Sequence, residues 1–282
     1  MLTQRYLTVI ASDRAYTAFL AALPLALSLL AQAVPGSAGL SVHAALAAGD
    51  LQPRQLLLVL ILGAALMGAA ASVRELVKER PIYRRERAVG LSLAAYLASK
   101  VAVLGGVTGL QAILFSTLAL LGRSGPDEAL VLPRGMLEIL VAVVAVTLAS
   151  MLTGLAISAA IDNADRGMPL LVLLIMMQLI LCGGLFGVRD RPVLDQLAWL
   201  VPSRWGFSMA AATTGLARAM HAPLDPAWQH LAGTWLSDLV AIVITAVISL
   251  GLVALGLARR DPKLATARDS DLHGVNATKT TQ

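Results

Sequence analysis

The side chains able to act on a partner gather in one stretch, residues 74–100, which reads RELVKERPIYRRERAVGLSLAAYLASK. Seven basic residues stand there against three glutamates. Arginine and lysine next to carboxylates offer paired, charge-assisted hydrogen bonds that can hold a joint in register. A loop that served only to fix membrane topology would need the basic residues but not the glutamates. This stretch is therefore expected to be a structured docking surface.

Chemistry of the catalytic kind is not visible. The chain has no G-x-x-x-x-G-K-[ST], so it has no P-loop with which to cradle ATP, and no G-x-S-x-G or H-E-x-x-H. Cys182 is the only cysteine, and His43, His221, His230 and His273 lack ligand spacing. No catalytic residue and no metal ligand is expected. The expected span centres carry neutral polar residues only: Thr108, Gln111, Ser150, Thr153, Gln178, Thr245 and Ser249. Each is either a substrate contact or a helix–helix hydrogen bond. An ion-coupled secondary transporter normally keeps ionisable residues at membrane depth. A membrane-embedded lipid enzyme would cluster carboxylates or histidines at one interface. Both stand as alternatives to a domain that receives its energy from a partner.

The elements that must position these groups are membrane spans. Hydrophobic residues make up 57% of the 282 and charged residues 14%, too few to cover a soluble surface. The expected class is an all-α polytopic membrane protein with six transmembrane helices near residues 17–34, 56–73, 94–121, 136–160, 168–188 and 239–258. With both termini cytoplasmic, 15 of the 22 Lys and Arg lie inside, seven of them in 74–100. The net charge of +5 then belongs to span-flanking loops and not to a nucleic-acid surface. Reading the first apolar run as a cleaved signal peptide would break that charge pattern. Residues 1–15 suit an amphipathic helix lying flat on the membrane. Residues 189–236 hold all four tryptophans and two apolar pieces too short to span, expected as re-entrant helices. Residues 259–282 read as a polar, disordered cytoplasmic tail.

Three motifs resemble the membrane half of ABC exporters of the type-2 permease class, and within it the ABCG/White subfamily. The first is Glu79-Arg80-Pro81-Ile82-Tyr83-Arg84-Arg85-Glu86-Arg87-Ala88-Val89-Gly90, followed by Tyr96 and Lys100. The second is Asp162-Asn163-Ala164-Asp165-Arg166-Gly167-Met168-Pro169. The third is Gly183-Gly184-Leu185-Phe186-Gly187, then Trp199-Leu200-Val201-Pro202-Ser203-Arg204-Trp205-Gly206-Phe207. The Ala- and Arg-rich composition also resembles the actinobacterial subgroup fused to an FHA module, which implies a cell-envelope glycolipid as cargo. The resemblance implies domain 1–258 as the transmembrane unit and residues 74–93 as a cytoplasmic coupling helix. Glu79, Arg84, Arg85, Glu86 and Arg87 would meet a nucleotide-binding domain, fused upstream or on a separate chain, which would carry ATP and Mg. It implies a homodimer in the plasma membrane with a lipid-like cargo. The substrate cavity would be lined by Ala64 and Met67 on the second span and by Leu173, Met177 and Ile180 on the fifth. Leu185 and Phe186 would form a hydrophobic plug above it. Gly63, Gly68, Gly183 and Gly184 would supply small-residue contacts between subunits.

Overall fold

A computed structural model describes residues 14–49, 51–88, 90, 92–188, 191–219 and 225–259. The expected flat helix at 1–15 lies almost wholly outside these residues, as does nearly all of the tail. Every regular element among the described residues is a helix: α1 (Arg14–Gln32), α2 (Val42–Ala48), α3 (Gln52–Ser72), α4 (Glu75–Ala88), α5 (Leu93–Ala119), α6 (Gly135–Ala160), α7 (Gly167–Leu181), α8 (Pro192–Ala198), α9 (Pro202–Thr214) and α10 (Ala232–Arg259).

Among the described residues five helical segments are long and apolar enough to cross a membrane: Gln52–Tyr83, Leu93–Ala119, Gly135–Ala160, Ala164–Leu181 and Ala232–Arg259. Thr17–Gln32 within α1 is apolar but shorter. In hydrocarbon only a helix satisfies all of its own backbone groups, which is why the apolar runs take this form. The helix ends are set locally. Ser92 begins α5 by accepting from the Ala95 amide, and Pro202 opens α9 where its missing N–H is not needed. Gly215 ends α9 with φ 66°, a conformation that a side chain disfavours.

The centre of the bundle is the α3–α6 contact. Gly68 lies so close to the Thr147 carbonyl of α6 that a Cβ would collide with it, and a Cβ on Gly154 would strike the Ser72 hydroxyl. A Cβ on Gly63 would meet the Phe115 ring at 2.8 Å. The expectation that Gly63 and Gly68 face a second subunit is corrected here: both are used within the protomer to bring α3 against α6 and α5. Around the seam pack Leu56, Leu60, Ile61, Val143, Val146 and Phe207.

The interior neutral polar residues are engaged with their own chain. Thr108 donates to Leu104 O at 2.8 Å and Gln111 to Leu20 O at 2.5 Å. Ser150 meets Gln178 at 3.4 Å, Thr153 meets Ser249 at 3.2 Å, and Thr245 donates to Ile242 O at 2.8 Å. Of the two roles left open for them, helix–helix and helix–backbone hydrogen bonding is the one observed.

The ends of the spans differ from expectation. Helix α10 begins at Ala232, seven residues before the expected start at 239, so Trp235 and Asp238 lie inside it and are buried. Asp238 Oδ2 is buried with no hydrogen-bond partner. Lys100 and Glu138 are also buried near span ends. The span centres lack ionisable residues as read, but the ends do not. Between the fifth and sixth spans, α9 is surrounded by α3, α6, α7 and α10 and is buried over most of its length. It is a core helix of the bundle and not a surface one.

Glu138 shows how such a charge is accommodated. Its Oε1 accepts from the amides of Leu130, Val131 and Leu132 at 2.7, 2.6 and 3.0 Å, and Oε2 accepts from Thr213 Oγ1 at 2.8 Å. One carboxylate thus ties the loop before α6 to the end of α9. Replacing it by Ala strands three amides at once. Glu138→Ala is expected to destabilise the fold by about 3 kcal/mol, with Glu138→Gln milder, since each buried donor left unpaired costs about 1–3 kcal/mol. Denaturant unfolding in detergent, followed by tryptophan fluorescence, measures it.

Candidate functional site

Helix α4 carries the charged motif, and membrane helices fix it on three sides. Its first amides are capped from α6: the Ser158 hydroxyl accepts from Leu76 N at 3.0 Å and Val77 N at 3.1 Å. An N-terminus whose donors are satisfied by another helix cannot slide along it without losing them. Lys100 of α5 reaches back to Glu75 Oε1 at 2.9 Å and Glu79 Oε2 at 2.6 Å. Tyr96 donates to Glu79 at 3.3 Å, and its ring lies 4.8 Å from that of Tyr83. On the far side, Arg80 pairs with Asp162 at 3.3 Å and donates to the Ile161 carbonyl at the end of α6.

This geometry divides the charged residues into two groups. Glu79 points inward and is spent on Lys100 and Tyr96, whereas Arg85 is exposed and Glu86 and Arg87 are half-exposed. The side chain of Arg84 lies outside the described residues. Lys100, Glu75, Arg80 and Ser158 belong to the same assembly, beyond the site residues that the sequence suggests. The signal for Lys100 was present, because a lone lysine seven residues into an apolar span needs carboxylates to pair with. Ser158 had no sequence signal, because its partners are backbone amides 81 and 82 residues away.

At the opposite end of the bundle, the chain leaves α7 sooner than expected. The helix stops at Leu181 and Gly183 adopts φ 81°, so Leu185 and Phe186 stand in an irregular segment beyond the helix and not in its last turn. A tight fit on both sides explains the glycines. A Cβ on Gly183 would lie 2.6 Å from Arg204 Nη1, and one on Gly184 would lie 2.5 Å from Leu58 Cδ2 and 2.6 Å from Phe207 Cε2. Leu185 is exposed, and Phe186 is half-exposed beneath Arg191, whose guanidinium is 5.7 Å from the ring centroid. Arg204 at the start of α9 pairs with Asp225, and Ser203 donates to Gln178 O at 2.9 Å, which ties α9 to α7.

The residues expected to line a cavity do not share one surface in the protomer. Ala64 and Met67 are completely buried between α3 and its neighbours, whereas Leu173, Met177 and Ile180 are exposed at 56%, 39% and 41%. Most residues of α3 are buried, whereas few of those in Ala164–Leu181 are. Helix α7, which contains no charged residue, thus presents an open apolar face, as α10 also does through Val240, Val243, Ile244, Val247 and Ile248.

The cluster around Lys100 is nearly closed to water, with 4% of the lysine side chain and 13% of Glu75 exposed. Removing one partner from a buried charge pair costs about 3–5 kcal/mol because the remaining charge is stranded. Lys100→Met is expected to detach α4, seen as faster hydrogen exchange at amides 76–83, with little change in α3 or α6. Unchanged exchange there would mean that Lys100 does not hold α4.

Comparison with known proteins agrees with this architecture. Residues 1–214 match the family model described as ABC-2 type transporter. The chain is 40% identical over 256 residues, 89% of its length, to the ABC transporter ATP-binding/permease protein Rv1747 of Mycobacterium tuberculosis. It covers 30% of that protein's length. An all-helical bundle of apolar spans, with a charged helix pinned beneath it and a match over residues 1–214, makes this chain a multi-pass membrane domain of the ABC-2 type transporter family.

Proposed function

We propose that this domain is one half of a homodimeric, ATP-driven exporter that moves a hydrophobic or amphipathic cargo, a lipid or glycolipid, outward by alternating access. The observation that carries it is the mounting of α4. A helix rich in charge, capped by one span and ion-paired to another, is rigidly joined to the bundle and still presents Arg85 outward. Such a surface suits a soluble motor. A nucleotide-binding domain supplies it and holds ATP and Mg, and the relative's printed description as an ATP-binding/permease protein supports this pairing. Arg84, Arg85, Glu86 and Arg87 are the contact residues, while Glu79 acts indirectly by setting the pose of α4. Both termini then lie on the cytoplasmic side of the plasma membrane, in line with the distribution of Lys and Arg.

The cargo face is that of α7, where Leu173, Met177 and Ile180 are exposed together with Met176. Unbranched methionines adapt to irregular hydrocarbon, which suits a lipid cargo. Two such faces meeting about a two-fold axis enclose an apolar cavity. Ala64 and Met67 enter its wall only if α3 turns between states; in the state described here they are core. Leu185 and Phe186 close the outer end by excluding water. Replacing both by Ala in the transporter reconstituted in lipid discs is expected to raise basal ATP turnover and abolish its stimulation by cargo, with dimer formation intact. Stimulation equal to that of the unaltered protein would refute the plug.

A further inference from the structure

One arginine joins the outer segment to α3, the helix that leads into the charged helix α4. Arg54 stands in the first turn of α3 and donates Nε to Gly184 O at 2.7 Å and Nη2 to Leu185 O at 2.8 Å. A guanidinium is a planar fork, so two donors held to consecutive carbonyls fix both the position and the direction of that backbone. Gly184 is wedged as well, between Leu58 of the same helix and Phe207 of α9. The segment thus takes its place from α3. At its other end α3 is joined to α4 by Val73 and Arg74 alone, and Val73 keeps helical angles of φ −60° and ψ −24°. At 1.5 Å per residue α3, with 21 residues, is about 32 Å long.

We propose that Arg54 is the positioning residue through which a displacement of α4 reaches the 183–187 segment. When α3 moves with α4, the two carbonyls held by Arg54 move with it, and Leu185 and Phe186 follow because they share that backbone. The inference rests on reading 183–187 as the outer gate. Its test reads segment movement directly, whereas the plug test reads ATP turnover, so the two fail independently.

Cys182 is a built-in reporter. It is the only cysteine of the chain, it is completely buried, and its sulfur accepts from Gly184 N at 3.4 Å. Alkylation by a water-soluble maleimide in lipid discs therefore requires the segment to lift. Loss of two hydrogen bonds from a charged donor is expected to raise the opening population, and hence the alkylation rate, by about tenfold or more in Arg54→Ala. Arg54→Lys, which keeps the charge without the fork, is expected to restore part of the protection.

Arg123 is the control. It donates in the same way to the carbonyls of Ala31, Gln32 and Val34 at 3.2, 2.7 and 3.0 Å, but holds the end of α1 and not this segment. Arg123→Ala is expected to leave the rate unchanged. Transmission is read from a cycle with Ser158→Ala, which loosens the cap on α4: it should speed alkylation when Arg54 is present and add little in Arg54→Ala. An unchanged rate in Arg54→Ala, an equal rise in Arg123→Ala, or additive effects of Ser158→Ala and Arg54→Ala would each overturn the proposal.

Discussion

The close approach of α3 to α6 is the constraint on which the rest depends. Gly68 and Gly154 place each backbone against groups of the other helix, with the Thr147 carbonyl on one side and the Ser72 hydroxyl on the other. In lipid no hydrophobic gain drives helices together, so small residues that permit extensive van der Waals contact decide which helices pair. Once α3 and α6 are locked, the end of α6 presents Ser158 and the Ile161 carbonyl beside the start of α4. The same seam buries Ala64 and Met67 and leaves α7 outside with its apolar face open.

Polar groups are placed by the same economy. Three charges at span ends are held by defined partners: Lys100 by two glutamates, Glu138 by three amides and a hydroxyl, Arg204 by Asp225. These contacts fasten segments that hydrocarbon cannot fasten, namely the charged helix, the loop before α6 and the start of α9. Asp238 and Arg74 depart from this pattern, one carboxylate oxygen of the first and the Nε of the second being buried and unmatched.

Much of this was legible in the chain itself. Apolar runs separated by charged turns give the class and the approximate spans, because bilayer thickness sets their length. Glu79, Tyr96 and Lys100, which stand in one motif, meet across α4 and α5. What stayed hidden depends on three-dimensional approach. Gly63 and Gly68 read as contacts between subunits until Phe115 and Thr147 are seen against them. The early end of α7 depends on the space left by Arg204 and Phe207, which lie more than twenty residues later in the chain. Arg54 looks like an ordinary span-flanking arginine, because its partners are main-chain carbonyls that no sequence pattern marks. The start of α10 could not be placed by hydropathy because Asp238 lowers it where the helix is already formed.

The central claim is that α4 couples the bundle to a nucleotide-driven partner. The most direct measurement is ATP hydrolysis and cargo export side by side in the assembled transporter carrying Arg85→Ala or Glu86→Ala, with insertion and assembly verified. The account predicts that hydrolysis continues while export falls by about tenfold or more, since a joint held by charge-assisted hydrogen bonds has lost one of them. Export at the unaltered rate in both variants would contradict it.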